Sequence, residues 1–148
     1  LVLHLIGGRP LRVGVHALPD VGRYAADNLH VVIECEDGSI GVVTYLANGH
    51  KGFGKEAVEV HGGGLSARLD NYRRLTIHRG RKRVRRTAWL RQDKGHRAEW
   101  EAIVAHLTAD APAPIAYDEL IRSTEATLAA HESLRSGQPV TLNGAIAS

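Results

Sequence analysis

The stretch NLHVVIECEDGSIGVVTYLA, from Asn28 to Ala47, constrains the fold of this chain more than any other. Apolar and polar residues alternate on both sides of an Asp37-Gly38 pair, and period-two alternation is typical of β-strands. An Asp-Gly pair between two such runs favours a hairpin with a two-residue type I′ turn. That turn predicts an apolar face with three cross-strand pairs: Cys35 with Ile40, Ile33 with Val42, and Val31 with Thr44.

The opposite face of this predicted hairpin is mixed in character. It carries three polar residues from the first strand and two large residues from the second: His30, Glu34 and Glu36, with Val43 and Tyr45. We therefore expect the mixed face to be partly covered in the folded protein.

Further strands are predicted on both sides of the hairpin. The alternating runs are LRVGVHAL before it and KEAVEVH, LSARLDNY, RRLTIHRG and RKRVRRTAWL after it. Tight turns join most of these runs. About seven strands connected in this way favour an antiparallel sheet or meander.

Helical periodicity replaces strand periodicity after residue 95. HRAEWEAIVAHL spaces Trp100, Ile103, Val104 and Leu107 as one face of an amphipathic helix. A second helix is predicted from Tyr117 to Ser136 and ends at Gly137, and PVTL predicts one short last strand. Strands first and helices last indicate an α+β fold, an open, largely antiparallel β-sheet with helices packed on one face.

The size and composition of the chain limit what class of protein it is. Its 148 residues suit one domain of ordinary size, and 43% hydrophobic with 24% charged residues is normal for a globular protein. A single cysteine excludes an internal disulfide and fits a reducing compartment. No apolar run reaches membrane-spanning length, and the first residues lack the charged leader of a signal peptide. We expect a cytoplasmic protein.

The start of the chain resembles the interior of a longer protein. The sequence contains no methionine, even at position 1. LVLHLIGG is typical of the last turns of a helix that ends at Gly7 and Gly8. A domain rarely begins inside a helix, so we expect further residues before Leu1.

A phosphate-binding loop is suggested by NGHKGFGKE, in which Gly49, Gly54 and Lys55 have the spacing G-x-x-x-x-G-K. Such a loop needs a Ser or Thr after the lysine as a magnesium ligand, and this chain has Glu56. It also needs a helix that begins at the lysine. EAVEVH alternates instead, which predicts a strand. The loop is therefore expected to join two strands and to bind no nucleotide.

The basic run RGRKRVRR, from Arg79 to Arg86, is the strongest charge feature of the chain. Clustered Arg and Lys favour binding of a polyanion, since they neutralise phosphates. The same charges on an edge strand would discourage pairing with other sheets. Binders of single-stranded nucleic acid also need stacking aromatic residues, and only Trp89 is near. The edge-strand interpretation is favoured, and binding of nucleic acid is not expected.

The sequence lacks several motifs that are typical of a metal site or a catalytic nucleophile. The nine histidines form no H-E-x-x-H motif, and cysteine clusters are absent. There is no G-x-S-x-G sequence for a serine hydrolase. Cys35 falls in the apolar row of a strand, where a buried, unreactive thiol is expected. No catalytic, metal-binding or cofactor-binding residue is predicted in this chain.

Two polar stretches remain as candidates for a ligand site. One is the loop after the hairpin with the residues around it: Tyr45, Asn48, His50, Lys51 and Lys55. The other is RQDKGHRAE, where Lys94, Gly95 and His96 lie near the start of the first long helix, whose free N–H groups favour an anion or a polyol oxygen. The alternative for this second stretch is that Asp93 only caps the helix.

Four segments in this order resemble one protein family: YLANGHKGFGKEAVEVHGGG, LDNYRRLTIHRG, RQDKGHRAEWEAIVAHL and PAPIAYDELIRSTEATLAAHESLRSGQPV. They are similar to the C-terminal half of glucose–fructose oxidoreductase, inositol dehydrogenase and rhizopine catabolism (Gfo/Idh/MocA) proteins, and closest to bi-domain members. The resemblance covers nearly all of residues 1–142. It implies a fold like the C-terminal domain of glyceraldehyde-3-phosphate dehydrogenase.

This resemblance implies that the catalytic parts of such an enzyme lie outside the chain. In the family a Rossmann domain comes first and binds NAD or NADP, and this chain has no G-x-G-x-x-G. The family's catalytic lysine in E-K-P is absent, and its catalytic histidine would precede Leu1, because His4 falls after the expected position. We expect no cofactor to bind this fragment and no hydride transfer by the fragment alone.

The resemblance assigns two other roles to the chain, substrate binding and assembly. The implied substrate-binding residues are Tyr45, Asn48, Lys51, Lys55, Lys94 and His96, which offer hydrogen bonds to a sugar, a polyol or a related hydroxylated or acidic substrate. Phe53 lacks the hydroxyl that relatives often have in this loop. The mixed hairpin face with Tyr45 and Val43 is the expected homodimer surface. The alternative function is a stand-alone binding or scaffold domain that uses Arg79 to Arg86 on a polyanion.

Overall fold

The structure is a computed structural model that describes residues 1–23, 25–88, 92–109 and 111–142. Trp89, the aromatic residue beside the basic run, lies outside the described residues. The elements in chain order are α1 (Val2–Ile6), β1 (Pro10–Ala17), β2 (Asn28–Cys35), β3 (Ile40–Leu46), β4 (Ala57–Gly62), β5 (Leu65–Asp70), β6 (Arg74–Arg79), β7 (Lys82–Thr87), α2 (His96–Ala109), α3 (Tyr117–Ser136) and β8 (Val140–Thr141).

The chain divides into two compact units, each with its own sheet. The first unit comprises Leu1–Gly49 with Ile115–Ser148, and the second comprises His50–Pro114. The strand orders are β3-β2-β1-β8 and β4-β5-β6-β7, and all paired strands are antiparallel. The predicted α+β fold with antiparallel strands is confirmed, with the strands shared between two sheets instead of one.

The core of the first unit lies between its sheet and the helix α3. Val13 is fully buried, and Ile33, Ala126 and Ala129 are each at most 7% exposed. Alanine at positions 126 and 129 brings α3 close to β1, because a small side chain lets the helix backbone approach the sheet. The helix ends where it was predicted to end: Gly137 has φ 70°, and its N–H donates to the Ser133 carbonyl at 2.9 Å.

The hairpin between β2 and β3 has a three-residue loop, Glu36 to Gly38. The N–H of Cys35 donates to the Ser39 carbonyl at 2.9 Å, and the N–H of Gly38 donates to the Cys35 carbonyl at 3.0 Å. Gly38 has φ 82°, the left-handed conformation that closes a three-residue hairpin loop. The predicted two-residue turn is therefore wrong by one residue.

This difference changes every cross-strand pair of the hairpin. Ile33 lies opposite Gly41, Val31 opposite Val43, and Leu29 opposite Tyr45. A one-residue shift moves a whole row of side chains to the other face of a sheet.

The helix-bearing face of the first sheet therefore includes Val43 and Tyr45. Val31 and Ile33, which pack in the core beneath the helices, point to that face, and their partners on β3 do the same. The prediction that Val43 and Tyr45 lie on the open face is wrong. That face instead carries Ile40, Val42 and Thr44 from β3 with His30, Val32 and Glu34 from β2.

The second sheet has one apolar and one polar face. A cross-strand row of Val60, Ala67, Ile77 and Val84 lies on the apolar face. Gly63 and Gly64, with φ 53° and 73°, form the two-residue turn between β4 and β5, where left-handed residues are required. Residues 57–62 after Lys55 form the strand β4, so the prediction of a strand in place of a phosphate-loop helix is confirmed.

Candidate functional site

The six predicted substrate-binding residues divide between the two units. Tyr45 and Asn48 belong to the first unit, and the other four belong to the second: Lys51, Lys55, Lys94 and His96. Each unit therefore presents its own group of polar side chains.

Asn28 organises the group in the first unit. Its side chain is 7% exposed, and its Oδ1 accepts a hydrogen bond from the N–H of Asn48 at 2.9 Å. Its Nδ2 donates to Asp27 Oδ1 at 2.9 Å, and the Asp27 carbonyl accepts the N–H of Ala47 at 3.0 Å. A buried amide thus fixes the backbone where the chain leaves β3, while the Asn48 side chain stays exposed.

Tyr45 lies one residue before the end of β3. Its side chain is 57% exposed on the helix-bearing face of the first sheet. Within the described residues its hydroxyl has no hydrogen-bond partner. The phenol is consequently available to a ligand or to another protein surface.

His50 accepts two hydrogen bonds within the loop that begins the second unit. Its Nδ1 accepts the N–H of Gly52 at 3.1 Å, and its carbonyl accepts the N–H of Phe53 at 3.0 Å. Lys51 and Lys55 are exposed and have no ion-pair partner in the described part of the chain. Phe53 is 81% exposed. The loop therefore offers two unpaired ammonium groups and an uncovered aromatic ring.

Lys94 is held by two partners from distant parts of the sequence. Its Nζ lies 3.1 Å from Glu56 Oε1 and 5.8 Å from the centroid of the Tyr72 ring. The side chains of Lys94 and Glu56 are 39% and 40% exposed. An ammonium over an aromatic face is attracted by the ring's electron density. Lys94 is thus oriented before any ligand arrives.

The Tyr72 ring is positioned by a backbone turn in an uncommon conformation. Asn71 and Tyr72 have φ values of 48° and 52°, a left-handed conformation that asparagine adopts more readily than most residues but that is unfavourable for tyrosine. The N–H of Asn71 donates to the Glu56 carbonyl at 2.6 Å. Gln92 Nε2 donates to the carbonyl and to the Oδ1 of Asn71 at 2.9 Å and 3.0 Å. These bonds hold the turn in its left-handed conformation.

We call the five residues Glu56, Asn71, Tyr72, Gln92 and Lys94 the Lys94 cluster. Strained residues that are held by several partners are found most often at functional sites. The second carboxylate oxygen of Glu56, Oε2, is enclosed although the side chain as a whole is 40% exposed, and it has no hydrogen-bond partner in the described residues. The cluster therefore combines an oriented cation with a carboxylate oxygen that can still accept a hydrogen bond.

His96 is the first residue of α2, in agreement with the prediction that it lies near the start of that helix. Its ring is 77% exposed, and its Nδ1 lies 3.8 Å from Glu99 Oε2. Asp93 Oδ1 accepts the N–H of Gly95 at 2.8 Å, and Gly95 has φ 80°. The carboxylate of Asp93 thus orders the turn before the helix instead of binding an amide inside its first turn.

Sequence patterns revealed only part of this arrangement. Lys94 was predicted, but its partners Glu56 and Tyr72 lie 38 and 22 residues earlier in the chain. Asn28 was also missed. A buried amide at the first residue of a predicted apolar strand was the available signal, because such a group must find hydrogen-bond partners.

Metal and thiol chemistry is not prominent in the described residues. Among them, no three His, Cys, Asp or Glu side chains lie close enough together to hold a metal ion. Burial raises the pKa of the Cys35 thiol, and the negative charges of Asp37 and Glu36 raise it further. The thiol therefore stays protonated near neutral pH, as expected of an unreactive core residue. None of the described helices is both long enough and apolar enough to span a membrane.

The similarity of this chain to known proteins is found among solved structures. The sequence matches no protein family model and no curated protein. An oxidoreductase from Agrobacterium radiobacter in complex with NAD+, L-tartaric acid and magnesium superposes with a TM-score of 0.74 at 14% identity, over 94% of this chain and 45% of its own. Aldose-aldose oxidoreductase from Caulobacter crescentus, complexed with glycerol, gives 0.72 at 16% identity, over 95% of this chain and 43% of its own.

A third solved structure gives the same result. The WlbA dehydrogenase from Bordetella pertussis, in complex with NADH and UDP-GlcNAcA, superposes with a TM-score of 0.68 at 16% identity, over 96% of this chain and 42% of its own. The fold is shared with these oxidoreductases. The chain spans less than half the length of each. The fold predicted from the resemblance to Gfo/Idh/MocA C-terminal domains is thereby confirmed.

Proposed function

We propose that this chain is the substrate-binding and oligomerisation domain of an NAD(P)-dependent Gfo/Idh/MocA oxidoreductase acting on a sugar, a polyol or a related hydroxylated substrate. The main support is the extent of the structural match. At least 94% of this chain superposes on each of three oxidoreductases, and the match covers no more than 45% of the length of each oxidoreductase. Two of these three structures contain a nicotinamide cofactor. One domain of a longer enzyme would give this pattern.

The small molecules in those three structures favour a hydroxylated substrate. They are L-tartaric acid, glycerol and UDP-GlcNAcA, all of which carry hydroxyl groups. The polar groups described above suit such ligands: the phenol of Tyr45, the amide of Asn48 and the ammonium groups of Lys51 and Lys55 offer hydrogen bonds. In the Lys94 cluster, Lys94 and Glu56 add a donor and an acceptor that are already oriented.

NAD or NADP belongs, in this proposal, to a Rossmann domain that precedes Leu1. A dinucleotide site needs parallel strands and a glycine-rich turn into a helix. All strand pairs among the described residues are antiparallel, and the sequence has no G-x-G-x-x-G. The described residues therefore do not form a Rossmann cofactor site, and in this proposal the cofactor would supply hydride transfer in the other domain.

The proposed assembly surface is the open face of the first sheet. Ile40 and Val42 are 65% and 55% exposed there, beside His30 and Glu34. Large exposed apolar residues rimmed by polar ones are typical of protein–protein interfaces. We infer a homodimer through this face, in place of the face with Tyr45 and Val43.

A stand-alone binding or scaffold domain without catalysis is the second candidate. It would use the basic run from Arg79 to Arg86 on a polyanion. The strand β7 divides this run between two faces, because Arg83 and Arg85 point to one side and Lys82 and Arg86 to the other. A continuous basic stripe for a long polyanion is therefore not formed by β7 alone.

The coding sequence before Leu1 discriminates between the two candidates. A G-x-G-x-x-G motif followed by E-K-P in that segment would support the oxidoreductase. A stop codon and a methionine codon close to Leu1 would contradict it. This test needs only the nucleotide sequence before Leu1 and no expressed protein.

Substrate binding itself is tested on the 148-residue chain by NMR. Glycerol, myo-inositol and L-tartrate are titrated into labelled protein, and the amide signals are followed. We expect shifts for Asn48 and Lys51 and for Lys94 and its neighbours, and we expect Lys94→Met to weaken them. Lys82→Gln removes one charge from β7 and serves as a control. An absence of shifts at both groups with all three ligands would contradict the proposal.

A further inference from the structure

A groove of about 390 Å³ crosses the polar face of the second sheet. Its two sides differ in charge. The side formed by β4 and β5 carries Glu59 and Asp70, and the side formed by β6 and β7 carries Arg74, Arg83 and Arg85. This groove lies within one unit and includes none of the residues assigned to the substrate in the proposed function.

The acidic side of the groove is already partly neutralised by Arg68. This guanidinium binds Glu59 Oε1 through Nη1 at 2.5 Å and Asp70 Oδ1 through Nε at 2.7 Å. Each carboxylate keeps a second oxygen that can accept a hydrogen bond. The acidic side is therefore an ordered row of acceptors with one guanidinium between them.

Among the residues that the structure describes, the basic side of the groove has no such ion pairs, and of its three arginines Arg74 alone lies opposite a carboxylate, Asp70, in the strand register. In the described residues, no carboxylate pairs with Arg74, Arg83 or Arg85. Arg83 and Arg85 are two residues apart on β7, so they point to the same face about 7 Å from each other. Their cross-strand neighbours are His78 and Thr76, and neither is acidic.

The position of Arg74 indicates that the positive charge of the groove does more than prevent the edge strand β7 from pairing with other sheets. Charges on an edge strand discourage pairing with other sheets, and β7 is an edge strand. Arg74 belongs to the inner strand β6, where it lies directly opposite Asp70 on β5 and diagonally across from Arg85 on β7. Like charges placed this close on one face repel each other. An anion bound among the three guanidinium groups would remove that repulsion.

We propose that this groove binds a phosphate-bearing small molecule. Arg74, Arg83 and Arg85 hold the phosphate, and Glu59 and Asp70 accept hydrogen bonds from hydroxyl groups of the same ligand. The planar guanidinium matches a phosphate with two parallel hydrogen bonds. A volume of about 390 Å³ is in the range of small-molecule sites. Among the described residues, no Phe, Tyr or Trp lines the groove, so these residues offer no stacking surface of the kind that single-stranded nucleic acid requires.

The test compares two charge-matched double variants of β7. Arg83→Gln with Arg85→Gln removes two positive charges from the groove face, and Lys82→Gln with Arg86→Gln removes two from the opposite face of the same strand. Binding of glucose 6-phosphate, inorganic phosphate and a single-stranded oligonucleotide to the 148-residue chain is measured by calorimetry. Circular dichroism and thermal unfolding establish that both variants fold.

We expect glucose 6-phosphate to bind more tightly than inorganic phosphate. The groove-face variant should bind glucose 6-phosphate at least about tenfold more weakly, because it lacks charge-assisted hydrogen bonds to the phosphate. The control variant should lose less than about twofold in affinity. Amide signals of residues 74, 83 and 85 should shift during an NMR titration of the unchanged protein.

Three results would overturn the proposal. Equal losses in both variants would mean that only the net charge of the strand matters. Equal affinity for glucose 6-phosphate and inorganic phosphate would remove the role of the hydroxyl groups. Tighter binding of the oligonucleotide than of either phosphate, with a steep dependence on salt, would identify a nucleic-acid surface instead.

Discussion

Val2 of α1 lies directly against Gly41 of β3. A Cβ atom at position 41 would collide with Val2 Cγ1 and would lie 2.9 Å from Ile6 Cδ1. The glycine therefore lets the short helix α1 pack on the sheet. Gly41 has no left-handed conformation, so space alone requires glycine here.

Gly41→Ala should destabilise the chain by about 1 to 3 kcal/mol, as for overpacking of a filled core site. Urea unfolding followed by circular dichroism measures this change. Gly14→Ala is the matched control in the neighbouring part of the same sheet, because its Cβ would meet Pro139 at an ordinary 3.7 Å. Equal stability of the two variants would show that α1 does not pack as described.

Ser133 provides a second test of the same core. It is 1% exposed, and its Oγ accepts the N–H of Val15 at 2.9 Å. Ser133→Ala leaves this amide without a partner beneath the helix, so we expect a loss of about 1 to 3 kcal/mol. Ser123→Ala on the exposed side of α3 is the control. If both serine variants unfold at the same urea concentration, the Val15 amide does not depend on Ser133.

The fold was predictable to the extent that local patterns determine it. Alternation located the strands, and glycines marked the end of α3 and the turn before β5. The length of the β2–β3 loop was not predictable from Asp37-Gly38, because the pair suits a two-residue or a three-residue loop. The contact of Gly41 with α1 favours the observed register, and that contact joins residues 39 positions apart.

The candidate site was less predictable than the fold because its partners are remote in sequence. Lys94 and His96 were correctly placed at the start of α2. The turn at Asn71 and Tyr72, with two consecutive left-handed residues, has no glycine to indicate it. It is held by Gln92 and by the backbone of Glu56, and neither contact leaves a pattern in the sequence.

Asn28 is predicted to fix the backbone at the start of the loop after β3, which contains Asn48. Asn28→Ala removes the acceptor of the Asn48 N–H, so we expect a loss of about 1 to 2 kcal/mol and faster hydrogen exchange at that amide. Asn48→Ala keeps the backbone bond and should leave stability nearly unchanged. Unaltered exchange at residue 48 in the Asn28 variant would contradict this role.

Cys35 should make stability depend on pH in the alkaline range. Its folded pKa is raised above the value in the unfolded chain, mainly by burial. The unfolded chain therefore loses this proton at a lower pH than the folded protein does. The contribution of Cys35 to stability is complete below about pH 8.5 and falls as the pH rises above that value. Between pH 7.5 and pH 10, the free energy of unfolding measured with urea should fall more for the unchanged protein than for Cys35→Ala. A thiol reagent should also react slowly with the folded protein at pH 8. Identical pH profiles of the two proteins would refute the assignment.

The ion pair of Lys94 with Glu56 is predicted to orient the lysine more than it stabilises the fold. Both side chains are about two-fifths exposed, and water and salt weaken an attraction at such a site. A double-mutant cycle with Lys94→Met and Glu56→Gln should give a coupling below about 1 kcal/mol at low salt and close to zero in 1 M salt. Urea unfolding of the four proteins measures it. A coupling of several kcal/mol that persists in salt would mean that the pair is enclosed, and Lys94 would then be a structural residue with little freedom to contact a substrate.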